Sequence, residues 1–119
     1  MSYLSYIILI LLVLLLLQRM LPTKGVKQIT TAQLHDELKD KSKQFIDVRT
    51  PAEYKGYHIP GFKNIPLHQF NQRAKELSKD KEVVVICQSG MRSQKASKVL
   101  KKLGYSKVTN VKGGVSAWR

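Results

Sequence analysis

The feature that most constrains the fold is an uninterrupted apolar run, Val83-Val84-Val85-Ile86, which ends at a segment of turn-forming residues. Apolar side chains on successive residues are typical of a strand buried on both faces, as in a parallel sheet covered by helices. Other short apolar runs alternate with helical patterns along the chain. The sequence therefore predicts an α/β fold with a central parallel sheet flanked by helices on both faces.

Cap and turn residues place the boundaries of these elements. Thr50 and Pro51 are typical of a helix start, and Glu53 completes a capping box three residues after Thr50. Gly104 is typical of a helix end. We expect strands at residues 26–29, 44–48, 64–65, 81–87 and 108–111, and helices after residue 30, after residue 50, and at residues 67–77, 93–103 and 113–118.

Cys87, the single cysteine of the chain, directly follows the apolar run and opens a short loop before a helical pattern. Functional groups of parallel α/β sheets gather at the carboxyl ends of the strands. Backbone N–H groups of the loop and of the next helix can converge there and stabilise a thiolate. We therefore predict that Cys87 is a catalytic nucleophile and that the loop binds the substrate through Gln88, Ser89, Gly90, Met91 and Arg92.

A purely structural cysteine is the simpler alternative, because free cysteines are often small buried hydrophobes. The neighbours of Cys87 favour catalysis, since a structural cysteine needs neither a close glycine such as Gly90 nor a nearby cation such as Arg92. With one cysteine the chain forms no internal disulfide, which fits a reducing compartment.

The composition is strongly basic, with 21 Lys and Arg residues against 8 Asp and Glu residues and a net charge of +13. Such a charge favours small anions, anionic lipid or nucleic acid as partners. The basic residues are spread along the chain without interleaved aromatics, so we do not expect nucleic acid binding. The 119 residues leave room for one compact domain.

The N-terminal segment is almost wholly apolar and carries no charge over residues 3–17. It lacks the basic start and the small-residue cleavage pattern of a signal peptide, so we predict an uncleaved transmembrane anchor. Arg19, Lys24 and Lys27 follow it, which predicts a single-pass protein of the cell membrane with its domain in the cytoplasm. The expected division is an anchor at residues 1–20, a linker at 21–27 and the α/β domain at 28–119.

Several short motifs occur together in one order, and in this respect the part after the anchor resembles a single-domain rhodanese-like sulfurtransferase. The motifs are Asp47-Val48-Arg49, Glu53-Tyr54, His58-Ile59-Pro60-Gly61, Asn64-Ile65-Pro66, Cys87-Gln88-Ser89-Gly90-Met91-Arg92-Ser93 and Gly113-Gly114-Val115-Ser116-Ala117-Trp118.

The resemblance implies a rhodanese-like fold and a sulfur transfer reaction. A sulfane sulfur passes from a donor, such as thiosulfate or a low-molecular-weight persulfide, to Cys87. The resulting persulfide gives it to a thiol, a protein or another nucleophilic acceptor. No metal or organic cofactor is expected.

Four further residues are expected to support the site. Asp47 either orients Arg92 or the loop, or forms a structural ion pair, and Arg49 lies beside it. His58 is either a base for Cys87 or, as we favour, a hydrogen-bonded structural residue, and Ser93 follows the loop. For Arg92 itself, two roles remain open: holding an anionic donor, or pairing with a carboxylate to brace the loop.

Two other functions compete with sulfur transfer. Cysteine-dependent phosphatases and arsenate reductases also use a thiolate in a loop that ends in arginine, but their loop has one more residue between the two than Cys87 and Arg92 allow. A membrane-tethered binding or regulatory module of the same fold is the second alternative, and the intact Cys87, Gly90 and Arg92 speak against it.

Overall fold

Five parallel strands form one sheet, in the spatial order β1-β5-β4-β2-β3. The computed structural model describes residues 2–21 and 23–118. The strands are β1 (Val26–Ile29), β2 (Gln44–Asp47), β3 (Lys63–Asn64), β4 (Val83–Ile86) and β5 (Val108–Val111). The chain thus places β4, the strand that leads to Cys87, in the middle of the sheet, where both of its edges are hydrogen-bonded.

Helices precede, connect and follow the strands: α1 (Tyr3–Met20), α2 (Thr31–Glu37), α3 (Pro51–Gly56), α4 (Leu67–Arg73), α5 (Met91–Lys102) and α6 (Gly114–Ala117). The helix expected over residues 67–77 is α-helical only to Arg73 and ends as a 3₁₀ turn at Ala74–Glu76. The helix expected from Ser93 begins two residues earlier, because Gly90 takes the cap position with a φ of +111°.

The core lies on both faces of the sheet, as the apolar run of β4 predicts. Val84 and Ile86 pack on one face with Leu34 of α2 and other buried side chains. Val83 and Val85 pack on the other face with Leu100 of α5 and residues of α4. All four residues of β4 are fully buried, so the prediction of a parallel α/β sheet covered on both faces is confirmed.

The expected transmembrane anchor is not supported by the structure. Although α1 covers most of the predicted segment, no helix among residues 2–21 and 23–118 is both long enough and apolar enough to cross a membrane. We therefore assign no transmembrane helix.

The start of the domain differs slightly from the expected boundary. Val26 and Lys27, the last residues of the expected linker, belong to β1 and pair with Val108 and Thr109 of β5. Met1, Pro22 and Arg119 of the expected anchor, linker and domain lie outside the described residues.

The 3₁₀ turn after α4 is held by a buried tyrosine, which generates a stability prediction. The Tyr105 hydroxyl donates to the Ala74 carbonyl at 2.6 Å and to the Leu77 carbonyl at 2.9 Å. Tyr105→Phe leaves both buried carbonyls without this donor, so we expect the free energy of unfolding of the full chain to fall by about 1–3 kcal/mol. Urea unfolding measures it, with Tyr57→Phe at an exposed tyrosine as control. Equal stabilities of the two variants would contradict the prediction.

Candidate active site

Cys87 lies at the carboxyl end of β4, immediately beneath the loop that leads into α5. Its side chain is 1% exposed, and the Gly90 N–H points at Sγ from 2.9 Å. A backbone N–H that faces sulfur stabilises negative charge on it, either as a thiolate or as the outer end of a persulfide. The structure therefore brings Cys87 and Gly90 together as the sequence predicts.

The other loop residues fall into two groups. Ser89 and Met91 are exposed, and Met91 is 70% exposed at the first turn of α5. Ser93 is buried, and its hydroxyl donates to the Gly90 carbonyl at 3.0 Å. This bond turns the carbonyl of Gly90 toward α5 while its N–H faces Cys87.

The start of α6 fixes the first two carbonyls of the loop. The Val115 N–H donates to the Cys87 carbonyl at 2.9 Å, and the Ser116 N–H donates to the Gln88 carbonyl at 3.0 Å. Gly114 makes this approach possible, because a Cβ at that position would lie 2.3 Å from the Cys87 carbonyl oxygen. Sequence reasoning missed this role of Gly114, and the paired glycines Gly113-Gly114 were the available signal.

Asp47 and Arg49 form a buried ion pair at the neighbouring strand end. Arg49 Nη2 lies 2.9 Å from Asp47 Oδ2, and Arg49 Nε lies 3.0–3.1 Å from the two carboxylate oxygens. Arg49 also donates to Gln88 Oε1 at 3.2 Å and to the Tyr57 carbonyl at 2.6 Å. Asp47 thus orients Arg49 rather than Arg92, and Arg49 reaches the loop through the Gln88 side chain.

The Gln88 side chain joins three elements. Besides accepting from Arg49, it donates through Nε2 to the Ser116 hydroxyl at 2.9 Å. The loop is therefore tied by side chains to β2 and α6, in addition to the backbone bonds of α6. Arg49 follows β2 and α6 follows β5, and these two strands lie on opposite sides of β4 in the sheet. The Gln88 side chain is therefore held from both sides of β4.

Arg92 forms a bidentate ion pair with Glu53 of α3. Its Nη1 and Nη2 lie 2.6 Å and 3.0 Å from Oε1 and Oε2. The hydrogen bond from Arg92 lowers the pKa of Glu53 to about 2, and capping bonds from Thr50 also lower it. Because the pKa is depressed, any stability from the pair is present above the usual carboxyl pKa and is lost only as the pH falls towards 2. The pair is thus intact at neutral pH, and the carboxylate partner left open by the sequence is Glu53.

The contacts of His58 favour a structural role over that of a base for Cys87. Its Nδ1 is 2.9 Å from the Tyr54 carbonyl oxygen, and its ring stacks on the Tyr54 ring at 3.8 Å between centroids. The Tyr54 hydroxyl in turn donates to the Phe62 carbonyl. Through these contacts, His58 and Tyr54 hold together the segment between α3 and β3.

A cavity of about 270 Å³ opens at the same edge of the sheet. It is lined mainly by apolar side chains, with Arg92 at one side: the lining residues are Val48, Thr50, Pro66, Leu67, His68 and Arg92. Val48 follows Asp47, which pairs with Ile86, so Val48 lies beside Cys87 at the strand ends. The cavity therefore borders the Cys87 loop through Val48 and Arg92.

The contact between α6 and the loop predicts the effect of a small substitution. Gly114→Ala places a methyl group against the Cys87 and Gln88 carbonyls at a φ of +59°, so the loop must shift. A shift of about 1 Å in a reacting group costs about a hundredfold in rate, and we expect a loss of that order in the sulfur transfer that the family resemblance implies, assayed with thiosulfate and cyanide. Gly56→Ala is the control, because nothing lies within 4 Å of its added Cβ. Similar activity of both variants would show that α6 does not position the loop.

Known proteins are similar to this chain in sequence and in fold. Residues 30–119 match the family model of the rhodanese-like domain. A sulfurtransferase from Allochromatium vinosum is 38% identical over 94 residues, covering 78% of this chain and 88% of that protein. The uncharacterised protein YqhL from Bacillus subtilis is 47% identical over 75 residues, covering 63% of this chain, and the match spans only 60% of the length of YqhL.

A solved structure gives the same result for the fold. The crystal structure of a rhodanese-like domain protein from Staphylococcus aureus superposes with a TM-score of 0.73 at 34% identity, covering 79% of this chain and 92% of that one. The family model covers the strands from β2 to β5, the Cys87 loop and α6. This chain therefore belongs to the rhodanese-like sulfurtransferase family.

Proposed function

We propose that this protein moves a sulfane sulfur from a small donor to a nucleophilic acceptor through a persulfide on Cys87. The observation that carries the proposal is the position of Cys87 Sγ, with the Gly90 N–H 2.9 Å away beneath a loop tied down on two sides. Family membership supports the reaction type, while the donor and the acceptor are part of the proposal.

The reaction has two displacement steps. The Cys87 thiolate attacks the sulfane sulfur of the donor, and the bond between that sulfur and the rest of the donor breaks. The electron pair of this bond leaves with the donor remainder, which is sulfite when the donor is thiosulfate. An acceptor nucleophile then attacks the outer sulfur of the persulfide, and the electron pair of the broken S–S bond returns to Cys87 Sγ.

The loop supports this reaction by holding negative charge in both states of the cysteine. The Gly90 N–H faces the sulfur, and Arg92 is close enough for the thiolate charge to contribute to the raised pKa of the guanidinium, whose largest cause is the bond to Glu53. Chemistry of this kind needs only the loop and a nucleophile, so no metal or organic cofactor enters the proposed steps. The acceptor is a low-molecular-weight thiol or a protein.

A single substitution tests the nucleophile. Cys87→Ser keeps nearly the same size but cannot hold a persulfide, so we expect no added sulfur and no transfer from thiosulfate to cyanide. Mass spectrometry of the intact protein after incubation with thiosulfate measures the added sulfur. A thiocyanate assay measures the transfer to cyanide. Circular dichroism checks that the variant is folded. Wild-type turnover by the folded variant would rule out a cysteine persulfide.

We further propose that α1 attaches the protein to a membrane surface, with the domain on the cytoplasmic side. The large apolar side chains of α1, from Tyr3 to Leu17, are between 45% and 88% exposed. An exposed apolar face of this size calls for an apolar partner, and the net charge of +13 favours anionic lipid. The single cysteine forms no internal disulfide, which fits a reducing compartment and favours the cytoplasmic side for the domain.

Fractionation and labelling test this location. Leu12→Arg puts a charge among the apolar side chains of α1, so we expect it to shift the protein from membranes washed in low-salt neutral buffer to the supernatant. Leu103→Arg, at an exposed leucine of the domain, should leave the distribution unchanged. Ser106→Cys, made with Cys87→Ser, should react with an impermeant maleimide only after cell lysis. Wild type in the supernatant, or labelling before lysis, would contradict attachment or sidedness respectively.

A further inference from the structure

Two helices of the domain begin with the same capping arrangement but with different residues. At α2, the Thr30 N–H donates to Gln33 Oε1 at 2.8 Å, and the Gln33 N–H donates back to the Thr30 hydroxyl at 3.2 Å. At α3, Thr50 and Glu53 make the same two bonds at 3.0 Å and 3.2 Å. Since a neutral glutamine completes the cap of α2, the cap of α3 does not require the charge of Glu53.

The charge of Glu53 is directed instead at Arg92. Each carboxylate oxygen accepts from one terminal nitrogen of the guanidinium, at 2.6 Å and 3.0 Å. Both side chains are about one-third exposed, with values of 35% for Arg92 and 32% for Glu53. The pair therefore lies at the rim of the site, where an incoming substrate meets it.

A carboxylate at this position changes which substrates Arg92 can bind. An unpaired guanidinium would attract a compact dianion such as thiosulfate. With Glu53 on both terminal nitrogens, such a dianion must displace a carboxylate or approach one of like charge. The ion pair thus weakens the attraction for the class of donor that carries the most charge.

The cavity next to the ion pair favours an organic substrate over a compact inorganic anion. Val48, Pro66 and Leu67 supply apolar surface, and Thr50 and His68 supply the polar groups of its lining, together with Arg92. The volume of about 270 Å³ exceeds what a compact inorganic anion fills and suits the carbon skeleton of a small organic thiol.

We propose that Glu53 is a specificity-determining residue that turns the site from inorganic dianionic donors toward organic persulfides whose body occupies this cavity. The inference rests on the proposed sulfur transfer and narrows its donor. In the step it describes, the Cys87 thiolate attacks the outer sulfur of R–S–S–H, and the S–S bond of the donor breaks. The thiolate R–S⁻ leaves with the electron pair, while the proton stays on the transferred sulfur as Cys87–S–S–H.

Glu53→Gln separates the two roles of the residue. A glutamine keeps Oε1, the oxygen that serves the cap and accepts from Arg92 Nη1, as Gln33 keeps the cap of α2. It loses the negative charge, and its amide nitrogen in place of Oε2 cannot accept from Arg92 Nη2. We measure kcat/KM for thiosulfate and for the persulfide of N-acetylcysteine methyl ester, a donor whose organic part carries no charge. The ratio of thiosulfate to persulfide should rise about tenfold, the effect of one charge-assisted contact near the surface.

Two further variants control the experiment. Glu76→Gln removes a carboxylate that also pairs with an arginine, Arg73, and should leave the ratio unchanged. Adding Arg92→Ala to Glu53→Gln should abolish the rise in the ratio of thiosulfate to persulfide. The Arg92 guanidinium, which no longer faces a carboxylate in Glu53→Gln, is absent from the double variant. Circular dichroism checks that each variant is folded.

An equilibrium measurement gives an independent test. Sulfate, which has the same charge as thiosulfate, should slow alkylation of Cys87 in Glu53→Gln at concentrations about tenfold lower than in wild type.

The outcomes distinguish the inference from the function on which it rests. Equal changes for both donors in Glu53→Gln, with unchanged protection by sulfate, would show that the pair only braces the loop and would overturn the inference. Sulfur loading of wild-type Cys87 from neither donor would overturn the proposed function and this inference with it.

Discussion

The buried ion pair between Asp47 and Arg49 is the interaction on which the rest of the site depends. Both residues lie almost wholly out of solvent, and Asn64 Nδ2 donates to the backbone carbonyls of both at 2.9 Å. Removing one member of such a pair leaves an uncompensated buried charge, at a cost of about 3–5 kcal/mol. Since Arg49 also contacts Gln88 and Tyr57, the pair couples the strand ends to the catalytic loop and to the segment after α3.

The catalytic loop obtains its geometry from carbonyls as much as from amides. The carbonyls of Cys87 and Gln88 are bonded to α6, and that of Gly90 to the Ser93 hydroxyl. The Gly90 N–H, which faces the sulfur from 2.9 Å, lies between these fixed carbonyls in the chain, so it is in place before any substrate binds.

The sequence alone predicts most of the fold and the nucleophile, because these follow from local signals. The apolar run of β4, the cap at Thr50 and the cysteine loop are each readable over a few residues. The partner of Arg92 is not, since Glu53 lies 39 residues away and only the folded chain brings the two side chains together. Glu53 was predicted as a cap residue, and the sequence offers no signal that one carboxylate serves a cap and an arginine at once. The transmembrane interpretation of the N-terminal segment is not supported. The helix lies where the apolar pattern predicts it, at Tyr3–Met20, but no helix among residues 2–21 and 23–118 is both long enough and apolar enough to cross a membrane.

The strong positive charge of the chain and the neutralised arginine at its site act over different distances. Lys95, Lys98 and Lys102 are exposed on α5, the helix that begins at the catalytic loop. At physiological ionic strength their field is screened over about 8 Å. Within this range the lysines attract anions and anionic surfaces, which raises the rate at which these encounter the protein. Selection takes place at hydrogen-bond distance, where Arg92 is already occupied by Glu53. On the proposed role of Glu53, a basic protein therefore attracts anions in general and still discriminates against the most compact of them at its cysteine.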